Sequence, residues 1–101
     1  MKIKLMCRDI NLIKVDNNSS KLMTRNTGTA IYSENAIYFD GESPFETCLH
    51  EIFHFYLERI GINQMETIDK EVMCDLFSNC INQLMIENGK DIFIMLRAFA
   101  E

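Results

Sequence analysis

An α+β domain is what this sequence predicts, on three observations. Short runs of alternating, β-branched residues fill the first part of the chain, start and stop signals bracket a helix after them, and apolar residues recur at helical spacing towards the end. The chain has 101 residues, the size of one ordinary domain, so residues 1–101 are read as a single core. Hydrophobic residues make up 48% and charged residues 25%, proportions at which a core forms without disulfide staples.

Each element has a local cause. Ile3-Lys4-Leu5 and Ile10-Asn11-Leu12-Ile13-Lys14-Val15 alternate apolar with polar residues and predict one interrupted strand or two short ones around Arg8-Asp9. Asp16 to Ser20 and Asn26-Thr27-Gly28 are turn clusters, with a loop or a short helical turn between them. Thr29 to Tyr32 and Ala36 to Asp40 predict a hairpin through Ser33-Glu34-Asn35, where Asn tolerates a positive φ. Ser43-Pro44-Phe45-Glu46 predicts a helix start, with Ser as N-cap, Pro first in the helix and Glu completing a capping box; Gly61 ends that helix. A second helix is expected from about Glu66 to Glu87, stopping at Asn88-Gly89, with its apolar centre near Met73, Cys80 and Leu84. Lys90 to Ala100 predicts a third, short helix bringing Ile92, Phe93, Met95, Leu96 and Phe99 to the core.

Ten Lys and Arg against fifteen Asp and Glu give a formal charge of −5, the wrong sign for holding phosphates, so no nucleic-acid partner is expected. The four cysteines have no C-x-x-C spacing and sit among apolar or helix-forming residues, which reads as reduced thiols in a cytoplasmic protein. The opening residues carry charge but lack the apolar stretch of a secretory signal, and the apolar run Ile92 to Leu96 is too short to span a membrane. A soluble, intracellular protein is the expectation.

Chemistry is concentrated at His50-Glu51-Ile52-Phe53-His54, the H-E-x-x-H pattern, on the first predicted helix. Four residues advance a helix by about 400°, so His50 and His54 project from nearly one line and both imidazoles can reach one ion. Glu51, turned about 100° from His50, can approach a water on that ion without ligating it. Zinc held this way acidifies its water and polarises a carbonyl, while the glutamate takes the proton and passes it to the leaving amine. The chain has two histidines, and random placement would set them four apart with Glu after the first roughly one or two times in a thousand. Against this stands an ordinary buried face, since His50, Phe53, His54 and Leu57 also have core spacing.

A third protein ligand must be a carboxylate or thiolate, because no other histidine exists. In Glu71-Val72-Met73-Cys74-Asp75, Glu71 can bind the ion while Asp75 accepts a hydrogen bond from a ligand imidazole; Cys74 is a rival donor. The second helix's wheel opposes this, setting Glu71 almost opposite the apolar centre. Tyr32, Tyr38 and Tyr56 are candidates to donate a hydrogen bond to a tetrahedral oxyanion, with nothing in the sequence to choose among them.

H-E-x-x-H followed by E-x-x-C-D resembles the gluzincin arrangement and is most similar to small ImmA/IrrE-like metallopeptidases, many of them encoded by phages and mobile elements. The resemblance covers about Thr29 to Ser78, half the chain, and departs from the family at Phe53, where many members carry Gly. It implies a minimal zincin-like fold: a small twisted sheet packed on the H-E-x-x-H helix and a second helix, with a short C-terminal helix. It further implies Zn²⁺ on His50, His54 and Glu71, Glu51 as catalytic base, and Asp75 orienting a ligand histidine. The strand before the active helix is expected to be the edge that lines the cleft, so Ile37, Tyr38 and Phe39 would pair with an extended protein or peptide substrate. The function so implied is an intracellular regulatory zinc metallopeptidase. The competing expectations are a non-catalytic zinc-binding interaction module, and a helical protein without metal.

Overall fold

In the computed structural model, which describes residues 1–22, 26–62 and 68–101, the helices follow a four-stranded sheet. The order is β1 (Lys2–Leu5), β2 (Arg8–Lys14), β3 (Gly28–Ile31), a 3-10 turn (Tyr32–Glu34), β4 (Ala36–Phe39), α1 (Pro44–Arg59), α2 (Lys70–Asn88) and α3 (Ile92–Ala100). The α+β class expected from the sequence is therefore what the chain adopts. Strand order is β1-β2-β4-β3, with β1 and β2 antiparallel, β2 and β4 parallel, and β3 and β4 antiparallel.

Period-two alternation decides which side of the sheet is covered. Ile3 and Leu5 from β1, Ile10 and Leu12 from β2, and Ile37 and Phe39 from β4 all point to one side and are buried there. The register sets Ile3 beside Ile10 and Leu12 beside Ile37, so these side chains form one continuous apolar layer. Cys48, Ile52, Phe55 and Tyr56 of α1, Cys80 and Leu84 of α2, and Ile92, Leu96 and Ala100 of α3 complete the core. Each large side chain fully buried in this way contributes about 1.5–3 kcal/mol relative to exposure.

Several boundaries correct the sequence reading. The β1–β2 hairpin turns on Met6 (φ 55°) and Cys7 (φ 66°), the left-handed pair that a tight two-residue loop requires and that Asn-Gly usually supplies. Here the Glu87 carboxylate accepts from both loop N–H groups, at 2.5 Å each, which offsets the unfavourable residue choice. Ser43 precedes α1 in a left-handed conformation (φ 43°, ψ 54°) and its side chain makes no capping hydrogen bond, so the expected capping box does not form; an N-cap normally needs an extended backbone. The stop at Gly61 is as expected. With φ +84°, Gly61 donates to the Glu58 carbonyl while Ile62 donates to that of Leu57, the paired bonds of a Schellman ending.

The second helix begins at Lys70, with the Asp69 side chain accepting from the Glu71 N–H at 2.8 Å; Glu66 and Thr67, expected at its start, lie outside the described residues. In α3, Ile92 and Leu96 are buried as expected, but Met95 is 54% and Phe99 36% exposed. The fully buried stripe of this nine-residue helix is Ile92–Leu96–Ala100, while Phe93 packs against the core from the side and the half-exposed Phe99 ring meets Phe39 edge-on at 5.9 Å. No helix among the described residues is long and apolar enough to cross a membrane.

Candidate metal centre

Helix α1 packs Cys48, Ile52, Phe55 and Tyr56 inward, and this orientation decides where its polar residues go. At about 100° per residue, His50, Glu51 and His54 are carried round to the flank beside β3. The approach of that flank depends on Gly28 at the start of β3. A Cβ there would collide with Thr47 Cγ2 and press on Glu51 Cγ at 3.4 Å. Glycine is the residue that lets the helix lie this close to the strand.

The two imidazoles meet. His50 Nε2 and His54 Nε2 are 3.0 Å apart, with ring centroids 4.7 Å apart and ring planes 71° from parallel. Glu51 Oε1 lies 4.0 Å from His50 Nε2, and one donor atom from each of the three residues falls within 4.8 Å of the others. Two nitrogens bound at 2.0–2.1 Å to one centre stand ~3.0 Å apart at a right angle and ~3.4 Å at a tetrahedral angle. The observed spacing therefore suits a shared ion, and it equally suits an imidazole–imidazole hydrogen bond. The His50 side chain is 66% exposed and that of Glu51 13%, so the pair opens outward and does not sit on a buried face.

A cleft of about 630 Å³ lies between α1 and β3, with His50, Glu51, His54 and Thr47 on one wall, Gly28 and Ala30 on the other, and Tyr32 beside them. That volume is in the range of ordinary ligand sites. The strand along it is β3, not β4. Ile37, Tyr38 and Phe39, expected to form a substrate-binding edge, belong to an inner strand paired with β2 on one side and β3 on the other. Ile37 and Phe39 are fully buried, and the Tyr38 hydroxyl donates to Glu34 at 2.7 Å. The composition held a signal for this: Ala-Ile-Tyr-Phe is the more apolar strand and Gly-Thr-Ala-Ile the less, as befits an inner and an edge strand.

Glu71, Asp75 and Cys74 are exposed on α2, and among the described residues none joins His50, Glu51 and His54 in one donor cluster. Asp75 makes no hydrogen bond to either imidazole among those residues. The cause is rotational. α2 directs Cys80 and Leu84 into the core, and Glu71, nine residues before Cys80, lies about 180° round the helix from it. Contact between the helices is apolar, through the Phe53 and Phe77 rings at 5.2 Å.

Electrostatics separate the neighbouring groups. Burial, aided by the Glu51 carboxylate, pushes the Cys48 thiol up to about 12, and burial does the same for Cys80, so both are neutral packing groups. Burial first, then the Glu51 and Glu58 carboxylates, raise the Tyr32 phenol above its ordinary value and keep it a donor. Comparison with protein-family models, curated proteins and solved structures returned no match.

Proposed function

We propose that this protein is a zinc-dependent peptidase of the H-E-x-x-H type, with His50 and His54 holding the ion and Glu51 acting as general base. The single observation that carries the reading is the meeting of both Nε2 atoms, 3.0 Å apart, beside the Glu51 carboxylate in an open cleft walled by an edge strand. Two imidazoles with a nearby carboxylate are donors that suit zinc. When bound, zinc supplies Lewis acidity, making water a nucleophile near neutral pH and polarising a carbonyl.

The rest is the work of this chain's own residues. Glu51 takes a proton from the attacking water as the oxygen–carbon bond forms, then returns it to the amide nitrogen as the carbon–nitrogen bond breaks. Its stem lies against the space that Gly28 leaves open, and Glu51 lines the cleft together with both histidines. β3 offers an extended peptide a sheet edge on which backbone pairing can hold it, so the substrate class is an unfolded stretch of protein. The family resemblance implies Glu71 as third donor and Asp75 as the carboxylate that orients a ligand histidine. Because the Glu71 carboxylate stands outside the cluster, a second reading follows: a two-histidine site in a non-catalytic binding module.

Hydrolysis decides between the two readings. Zinc-loaded protein is expected to cleave a denatured, fluorescently labelled protein, and Glu51→Gln to lose at least 100-fold in rate while keeping its zinc. Equal rates for the variant and the wild type would reject Glu51 as base. Zinc uptake without any cleavage would favour the binding module.

A further inference from the structure

The peptidase reading leaves one chemical need unmet by the residues named so far: a neutral donor for the carbonyl oxygen that gains negative charge during attack. The chain has three tyrosines, and the fold separates them. Tyr38 lies on the sheet face away from the core, its hydroxyl already donating to Glu34 and its ring 5.3 Å from the Lys21 ammonium. Tyr56 is buried, its ring stacked on Phe53 at 6.4 Å. Tyr32 lines the cleft together with His50, Glu51 and His54.

Its position is fixed by the hairpin and by α1. Tyr32 opens the 3-10 turn that leads from β3 into β4, and its carbonyl accepts from the N–H of Asn35, whose φ of 50° closes that turn. The ring stands edge-on to Phe55, with centroids 5.0 Å apart and planes 85° from parallel. Phe55 is one helical turn beyond Glu51, and the phenol feels the carboxylates of both Glu51 and Glu58, so Tyr32 stands beside this stretch of α1 and lines the cleft that His54 also lines. We propose that Tyr32 donates a hydrogen bond to the scissile carbonyl oxygen of a bound peptide as that oxygen becomes negative, an assignment that rests on the peptidase reading above. The phenol keeps its proton throughout, since Glu51 carries the proton between water and amine.

The test uses a stable tetrahedral mimic, so that it does not depend on turnover. Zinc-loaded wild-type protein, Tyr32→Phe and Tyr38→Phe are titrated calorimetrically with an N-phosphoryl dipeptide, after zinc content and unfolding midpoint have been matched. Tyr32→Phe is expected to bind about 10- to 100-fold more weakly, the worth of one hydrogen bond to a charged oxygen, with zinc content unchanged and Tyr38→Phe indistinguishable from wild type. Binding by Tyr32→Phe within twofold of wild type overturns the assignment and leaves the peptidase reading intact. Failure of the peptidase reading looks different: wild type takes up no more zinc than His50→Ala, or zinc-loaded wild type ignores the mimic, and then the role of Tyr32 falls with it.

Discussion

At the scale of single residues, the site depends on an absence of side chain as much as on its donors. Gly28 leaves the space into which Thr47 and the stem of Glu51 fit, a condition the H-E-x-x-H pattern does not contain because it couples a strand start to a helix nineteen or more residues later. Gly28→Ala is expected to cost about 1–3 kcal/mol in urea unfolding, as overpacking at a close contact does, and to slow hydrolysis by shifting Glu51. An unchanged unfolding midpoint would show that Thr47 moves aside freely. The histidine spacing, by contrast, was readable from the sequence, since a helix alone sets the distance between residues four apart. Glu71 was not readable in the same way, because its position depends on how α2 is rotated against the core, and the wheel's apolar centre pointed the other way.

At the scale of elements, stops were more legible than starts. Gly61 and Gly89 have positive φ values that L-residues avoid, so the ends of α1 and α2 are written in single letters. Ser43-Pro44-Phe45-Glu46 has the letters of a capping box, yet the left-handed backbone at Ser43 prevents the bond. No local pattern announced the Glu87 contact, which joins the end of α2 to the β1–β2 turn across eighty residues of chain. Burial works against the ionised Glu87, but the N–H of Cys7, the Gln83 amide, the N–H of Met6 and the Arg59 charge outweigh it and hold its pKa below the ordinary value. A lowered carboxylate pKa gives stability that is complete above about pH 4.3 and fades as pH falls through the lower native value. Wild type is therefore expected to exceed Glu87→Gln in stability at pH 7 and to lose that advantage progressively as the pH is taken down through the carboxylate range, read from urea unfolding along a pH series. A gap that stays constant with pH would mean the carboxylate's charge contributes nothing.

At the scale of the whole molecule, the described residues of the sheet and its three helices leave one flank of α1 open, and that flank carries His50, Glu51 and His54 beside the edge strand β3. Alternation in the sequence identified the strands but not their order. The parallel pairing of β2 with β4 places Ile37–Phe39 inside the sheet and leaves Gly28–Ile31 at its edge, a long-range choice made by burial of the more apolar strand. Whether the paired imidazoles hold a metal ion is read out by zinc titration against a chromophoric chelator. Wild type and Glu51→Gln are predicted to take up about one equivalent with similar affinity, while His50→Ala and His54→Ala fall at least 100-fold, as the loss of a ligand requires. Zinc affinity in wild type no higher than in His50→Ala would contradict the account, and the 3.0 Å contact would then be a hydrogen bond between two surface imidazoles.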